Sequence, residues 1–105
     1  FDTGAAGTDF YPLFFKANEA EITKNQTLQK VKVGGAGGFR EVSAYRLSEV
    51  ELNSGGKKAK LKNPRILTER TNENSRYYFG NLGQDLIKQF NVMTLDFRSM
   101  QLSFE

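Results

Sequence analysis

Apolar and polar residues alternate along the segment "TLQKVKV" at 27–33. Val31 and Val33 fall on one side of an extended chain, and lysines fall on the other. This period of two is typical of a half-buried strand. The residues "GGAGG" follow at 34–38, and "FREVSAYRL" at 39–47 resumes an extended pattern. The segment therefore predicts a β-hairpin with a glycine-rich bend.

The segment "EVELNSGGKKAKLK" at 49–62 repeats this arrangement. Val50 and Leu52 alternate with polar residues before a Gly55-Gly56 bend, and apolar residues alternate with lysines after it. Paired glycines between two alternating runs favour a hairpin turn. We therefore predict a second hairpin and a mostly antiparallel β protein.

Two short helices are predicted between the strands. In "TDFYPLFFKAN" at 8–18, Thr8 or Asp9 is a candidate N-cap, and Pro12 falls within the first turn, as helix starts favour. The second helix is "QDLIKQF" at 84–90, with an inward face formed by Leu86, Ile87 and Phe90.

The remaining C-terminal segments predict a loop and further strands. The polar, aperiodic "TERTNENS" at 68–75 indicates a mobile loop, and "YYFGNL" at 77–82 indicates a buried strand. The segments "VMTLDF" at 92–97 and "QLSF" at 101–104 predict a final strand pair. No linker divides the chain, so we expect one domain, or part of one, over residues 1–105.

The composition is that of a globular chain. Of the 105 residues, 9 are Phe and 4 are Tyr, and 26% are charged, which argues against disorder and against a membrane span. The net charge of +3 includes one basic stretch. Because no aromatic motif lies beside it, we interpret it as a solvated hairpin face and predict no nucleic-acid partner. The stretch consists of Lys57, Lys58, Lys60, Lys62 and Arg65.

The chain contains neither Cys nor His. This excludes disulfides, thiolate chemistry, nucleophile-histidine pairs and imidazole metal sites. We predict no metal and no cofactor, so any catalysis must use carboxylates.

Three features occur in a fixed order: a Phe-Asp-Thr-Gly-Ala turn at 1–5, the glycine-rich hairpin bend at 34–38, and "NLGQDLIKQF" at 81–90 before two short strands. Together they resemble the retropepsin-like aspartic protease family, especially the small bacterial aspartyl proteases related to retroviral and pepsin-like enzymes. The resemblance covers nearly the whole chain. It implies a mostly β lobe, a closed or half-open acid-protease barrel with one or two short helices.

The resemblance also implies roles for individual residues. Asp2 corresponds to the catalytic acid, which hydrolyses peptide bonds as one of two carboxylates that share a proton and activate a water molecule. Its loop is supported by Thr3, Gly4, Ala5, Leu82 and Gly83, and the flap that covers a peptide substrate is formed by Gly34, Gly35, Ala36, Gly37 and Gly38. From the residues alone, the first turn is also compatible with a surface turn, and the hairpin with an ordinary tight bend.

Other acids are given structural roles. Asp85 begins a predicted helix and is interpreted as a helix cap, and Asp96 as a solvent-facing strand residue. Because the chain has one Asp-Thr-Gly, the second carboxylate is expected from a second copy or a second lobe, and the 105 residues alone are expected to be inactive. The family's catalytic loop follows a strand that Phe1 cannot form, so N-terminal strands are expected upstream.

Two other function classes remain open. A non-catalytic module could keep the fold and bind extended peptides by strand addition, and a structural β domain would have no groove. An active lobe needs a second carboxylate within reach of Asp2, whereas a binding module needs only the groove. The bacterial resemblance implies export to the periplasm or the cell surface.

Overall fold

The computed structural model describes residues 1–24, 26–35 and 37–105. Strands account for 42% and helices for 18%, so the predicted mostly β class is confirmed. The elements in chain order are β1 (Asp9–Phe10), α1 (Pro12–Ala17), α2 (Glu19–Thr23), β2 (Gln29–Gly35), β3 (Gly38–Arg46), β4 (Glu49–Ser54), β5 (Lys57–Lys62), β6 (Arg65–Leu67), a 3-10 helix (Glu73–Arg76), β7 (Gly80–Asn81), α3 (Gln84–Ile87), β8 (Met93–Asp96) and β9 (Gln101–Phe104).

The main sheet has five strands in the order β2-β3-β6-β1-β7. Strand β1 runs parallel to β6 and antiparallel to β7, whereas β3 is antiparallel to both β2 and β6. The expected closed barrel is wrong for the described residues, because β2 and β7 are open edges of this sheet. The other strands pair only within their own hairpins, β4 with β5 and β8 with β9, and so do not close it.

The three predicted strand pairs are present. Strands β2 and β3 pair from Gln29↔Ala44 to Gly35↔Gly38, and β4 pairs with β5 from Glu49↔Lys62 to Ser54↔Lys57. The backbone at Gly55 and Gly56 has φ values of 57° and 80°. Such positive φ angles are costly for residues with a side chain, which explains the glycine pair at this turn.

Two hydrophobic clusters hold the elements together. The larger joins Phe10, Ile22, Ala59, Leu61, Ile66 and Leu86, and the smaller joins Tyr11, Val42, Ala44 and Leu67. Burial of each large aliphatic side chain contributes about 1.5–3 kcal/mol. Strand β5 buries its two apolar residues in the larger cluster and exposes its four lysines, which form a solvated hairpin face as predicted. Arg65, the fifth residue of the basic stretch, departs from the prediction, because it lies on β6, is partly buried and pairs with Asp9.

The N-terminal helix differs from the prediction. Helix α1 begins at Pro12, and Tyr11 occupies the N-cap position without a side-chain cap. Thr8 and Asp9 are not caps, because both bind distant residues described below. A separate helix, α2, follows directly, so three α-helices are present among the described residues instead of the one or two expected.

The predicted buried strand at 77–82 is also wrong. Only Gly80 and Asn81 pair, and Tyr77, Tyr78 and Phe79 are 67%, 60% and 57% exposed. An added Cβ at Gly80 would lie 2.7 Å from the Asp9 carbonyl oxygen. The strand therefore reaches β1 only where a glycine permits close approach.

The polar segment at 68–75 has local structure as well as polar character. It leads into the 3-10 helix, and Ser75 is 1% exposed. The Ser75 N–H and hydroxyl donate to the Asn72 side-chain and backbone oxygens at 2.9 and 2.6 Å. Within the described ranges, no helix has the length and apolar character needed to cross a membrane.

Candidate functional site

The Asp2 loop is anchored to the far end of the chain. The Asp2 N–H donates to the Leu82 carbonyl oxygen at 2.9 Å, and the Ala5 N–H donates to the Asp2 carbonyl oxygen at 3.2 Å. The Gly4 N–H donates to Asp2 Oδ1 at 2.9 Å. This turn fixes the Asp2 carboxylate at the surface, where the residue is exposed.

Asn81 binds the other Asp2 oxygen. Its Nδ2 donates to Asp2 Oδ2 at 3.2 Å. The Asn81 and Gly4 hydrogen bonds together lower the pKa of Asp2, the Asn81 bond having the larger effect, because donors favour the ionised carboxylate. Sequence analysis did not single out Asn81, although it lies directly before the predicted Leu82-Gly83 support.

Gly83 packs directly under the loop. An added Cβ there would lie 2.5 Å from the Gly7 carbonyl oxygen and 2.8 Å from the Ala5 carbonyl oxygen. Next to it, the Gln84 N–H donates to the Ala5 carbonyl oxygen at 2.9 Å, and Gln84 Nε2 donates to the Thr3 carbonyl oxygen at 2.8 Å. The structure thus brings every residue of the predicted loop support together.

Thr8 and Asp85 lock the end of this loop, and sequence analysis missed their pairing. The Thr8 N–H and hydroxyl donate to Asp85 Oδ2 and Oδ1 at 2.9 and 2.7 Å, while Thr8 Oγ1 accepts the Gly83 N–H at 3.0 Å. Asp85 lies in the first turn of α3, where Gly83 is the N-cap. Its carboxylate also accepts the Leu86 N–H in the first turn of α3, so Asp85 contacts the helix N-terminus as well as the loop, although Gly83 and not Asp85 occupies the N-cap position.

A cleft of about 830 Å³ opens beside Asp2. The Asp2 loop lines one side, and the β2–β3 hairpin lines the other through Val33, Gly34, Gly38 and Arg40. Of the predicted flap residues, Gly35 ends β2 and Gly37 lies in the connecting turn, whereas Ala36 lies outside the described residues. The two motifs that the resemblance singled out therefore face a common space.

Asp9 is the other acid that lines this cleft among the described residues. It forms a two-pronged ion pair with Arg65, at 2.6 Å from Nε to Oδ1 and 2.7 Å from Nη2 to Oδ2. Its carboxylate is therefore committed to a cation. Asp2 lacks a cationic partner of this kind in the described part of the chain.

Asp96 lies outside the cleft, at the exposed end of β8. Its carboxylate accepts hydrogen bonds from the Ser99 hydroxyl at 2.6 Å and from the Ser99 and Arg98 N–H groups. These bonds, led by the Ser99 hydroxyl, lower the pKa of Asp96. The residue is a solvent-facing strand residue, as predicted.

No group of three or more acidic, His or Cys side chains within the described ranges is arranged to hold a metal ion. Comparisons with protein-family models, with curated proteins and with solved structures found no significant match. The resemblance to aspartic proteases therefore depends on the order of the motifs and on the geometry of this cleft.

Proposed function

We propose that the chain is a lobe of an aspartic peptidase and that Asp2 is one of two carboxylates that hydrolyse a peptide bond. One observation carries the proposal. Asp2, in a glycine turn braced by Leu82 and Gly83, lies on the same cleft of about 830 Å³ as the glycine-rich hairpin.

The arrangement suits the proton transfers of such a reaction. One carboxylate takes a proton from water while the other donates a proton to the scissile carbonyl oxygen. Without a second carboxylate beside it, Asp2 has a lowered pKa and is ionised near neutral pH, as a base must be. A second carboxylate close to Asp2 would raise one of the two apparent pKa values of the pair, because two like charges in contact cannot both remain ionised.

The cleft also suits an extended peptide. On the hairpin side, Gly34 and Gly38 permit a peptide backbone to approach closely. A second space of about 420 Å³ also adjoins Asp2 and is lined by Phe1, Tyr11 and Tyr78 among others; Tyr11 lines both spaces. A peptide that crosses Asp2 would therefore contact both glycine backbone and aromatic rings.

The second carboxylate must come from another copy or another lobe. In the described cleft Asp9 is already paired with Arg65, so it does not supply the partner. Two symmetric Asp2 loops facing each other would give the required pair. Thr3 is exposed on the loop, and in such a pair it would contact the facing copy.

The test is hydrolysis of a peptide library by the intact protein that contains this chain. Asp2→Asn keeps the shape of the side chain but cannot cycle a proton, so we expect activity to be lost while the fold is kept. Asp96→Asn is the matched control, because Asp96 is also an exposed, hydrogen-bonded acid but lies outside the cleft. Near-normal activity of Asp2→Asn would overturn the proposal, as would full activity of monomeric residues 1–105.

A non-catalytic peptide-binding module is the second candidate. It is favoured by one observation: β2 is an open edge of the main sheet, to which an extended peptide can add as a strand. In that case the intact protein would bind extended peptides without cleaving them, and Asp2→Asn would bind them equally well. Binding measured by calorimetry, together with the hydrolysis assay, separates the two functions.

A further inference from the structure

One guanidinium group joins three strands beside the cleft. Arg65, on β6, binds both carboxylate oxygens of Asp9, on β1, and donates through Nη1 to the carbonyl oxygen of Lys32, on β2, at 2.8 Å. The side chains of Arg65 and Asp9 are 27% and 22% exposed. An ion pair shielded to this extent is screened less than a surface pair, and its two-pronged geometry orients the remaining N–H groups.

The other strand of the hairpin, β3, is also held by an arginine hydrogen bond, which we call a tie as we do the Arg65 bond to Lys32, at a neighbouring position. Arg40 Nη2 donates to the Arg70 carbonyl oxygen at 3.0 Å. In the β2–β3 register, Arg40 faces Val33 and Glu41 faces Lys32. The two ties therefore act at neighbouring cross-strand pairs, one on each strand.

Beyond these ties the hairpin has little support. Toward the tip, Phe39 is 82% exposed, and added Cβ atoms at Gly37 and Gly38 would meet nothing within 4 Å. Toward the base, Val42 and Ala44 are fully buried. The change from a packed base to an open tip coincides with the Arg65 and Arg40 ties.

We propose that Arg65 is a positioning residue that sets the hinge of the hairpin at Lys32 and Val33. Asp9 holds the Arg65 guanidinium in place, and the guanidinium binds the Lys32 carbonyl oxygen. The base of β2 therefore cannot lift away from the cleft. Movement of the hairpin relative to the cleft is then confined to the described residues beyond this hinge, 34, 35 and 37–39, and does not involve the base of the hairpin. The inference concerns the cleft itself and does not depend on hydrolysis.

Arg65→Lys is the decisive variant. Lysine keeps the charge beside Asp9, but its single ammonium group cannot reproduce the planar fork that binds Asp9 and Lys32 at once. Asp9→Asn is the second variant, because it weakens the hold on the guanidinium and leaves Arg65 in place. Glu49→Gln is the matched control, since it breaks the exposed Lys60–Glu49 pair of the other hairpin.

Hydrogen exchange gives the first measurement. In Arg65→Lys and Asp9→Asn we expect amides at 31–33 and 40–42 to exchange about tenfold faster, the scale set by one lost hydrogen bond to a charged group. Amides at 94–96, on the separate β8–β9 pair, should be unaffected, and Glu49→Gln should match the unmodified protein. Equal acceleration at 94–96 would indicate general destabilisation and would overturn the proposal.

Spin-label distances give the second measurement, which a merely structural role would not change. The chain has no cysteine, so Gly37→Cys and Lys88→Cys place one label at the open tip and one at an exposed position after α3. We expect the distance distribution to be broader with Arg65→Lys or Asp9→Asn than with Arg65, because movement of the hairpin base is then added to that of the tip. An unchanged distribution in a variant that keeps its fold would overturn the hinge assignment. If Arg65→Lys does not fold, Asp9→Asn decides by the same criterion.

Discussion

The Asp85 carboxylate accepts two hydrogen bonds from Thr8, one from the N–H at 2.9 Å and one from the hydroxyl at 2.7 Å. The Thr8 hydroxyl oxygen in turn accepts the Gly83 N–H at 3.0 Å. Thr8 closes the Asp2 loop and Asp85 belongs to α3, so this pairing fixes the loop against the helix. The position of the candidate catalytic residue thus depends on a contact outside the Asp-Thr-Gly turn.

Thr8→Val should destabilise the protein strongly for so small a change. Valine keeps the shape of the side chain but removes the hydroxyl, which leaves the buried Gly83 N–H without its acceptor. We expect the free energy of unfolding to fall by about 1–3 kcal/mol, measured by urea denaturation. Thr94→Val, at an exposed position of β8, is the control and should change it by less than about 0.5 kcal/mol. Equal stability of the two variants would contradict this role of Thr8.

Gly83→Ala tests the close packing under the loop. The added Cβ would lie 2.5 and 2.8 Å from two backbone carbonyl oxygens, and backbone atoms cannot move aside as a flexible side chain can. We expect a loss of about 1–3 kcal/mol in the free energy of unfolding. At Gly37, where an added Cβ meets nothing within 4 Å, alanine should be nearly neutral. Thermal unfolding of both variants decides, and similar melting temperatures would show that the loop can shift.

The strand pairs were predictable because their signal is local. In β2 and β5, which belong to different hairpins, apolar residues alternate with lysines, and each strand adjoins its own glycine-rich bend. The sequence therefore indicates which side chains share a face and where the chain turns. The run at 77–79 was not predictable in this way. Its aromatic residues favour a strand by propensity, but pairing begins only at Gly80, where the chain can approach Asp9.

Thr8 and Asp9 show why local rules failed near the site. Both are good N-cap residues, but Thr8 binds Asp85 and Asp9 binds Arg65, which are 77 and 56 positions away along the chain. Asn81 likewise reaches Asp2 across 79 positions. Contacts of this kind have no pattern in a single sequence. The resemblance predicted that Asp2 and Leu82-Gly83 would meet, but not which side chains would hold them.

The glycine-rich tip of the β2–β3 hairpin should be the least protected part of the paired strands. A glycine loses the most conformational entropy when it is fixed, and added Cβ atoms at Gly37 and Gly38 would meet nothing within 4 Å, so no packing there compensates for this loss. We expect amides of Gly34, Gly37 and Gly38 to exchange faster than those at 94–96, measured by hydrogen exchange with NMR detection. Equal protection would instead indicate a rigid bend, as in a structural β domain.

The pKa of Asp2 in the unpartnered chain should lie below the ordinary value of 3.8, because the Asn81 side chain and the Gly4 N–H both stabilise the ionised carboxylate. A folded-state pKa below the unfolded one means that this stabilisation is present at higher pH and is lost as the pH falls through the folded value. Asn81→Ala should therefore raise the pKa of Asp2, measured by carbon-13 NMR of the side-chain carboxyl. Asp96, whose lowered pKa depends on Ser99, is the internal control and should not change.

In an assembled pair, one of the two apparent pKa values should instead lie above that of the single chain, because the two carboxylates share a proton. A pKa of 3.8 or higher for Asp2 in the single chain would contradict the hydrogen bonding from Asn81 and Gly4.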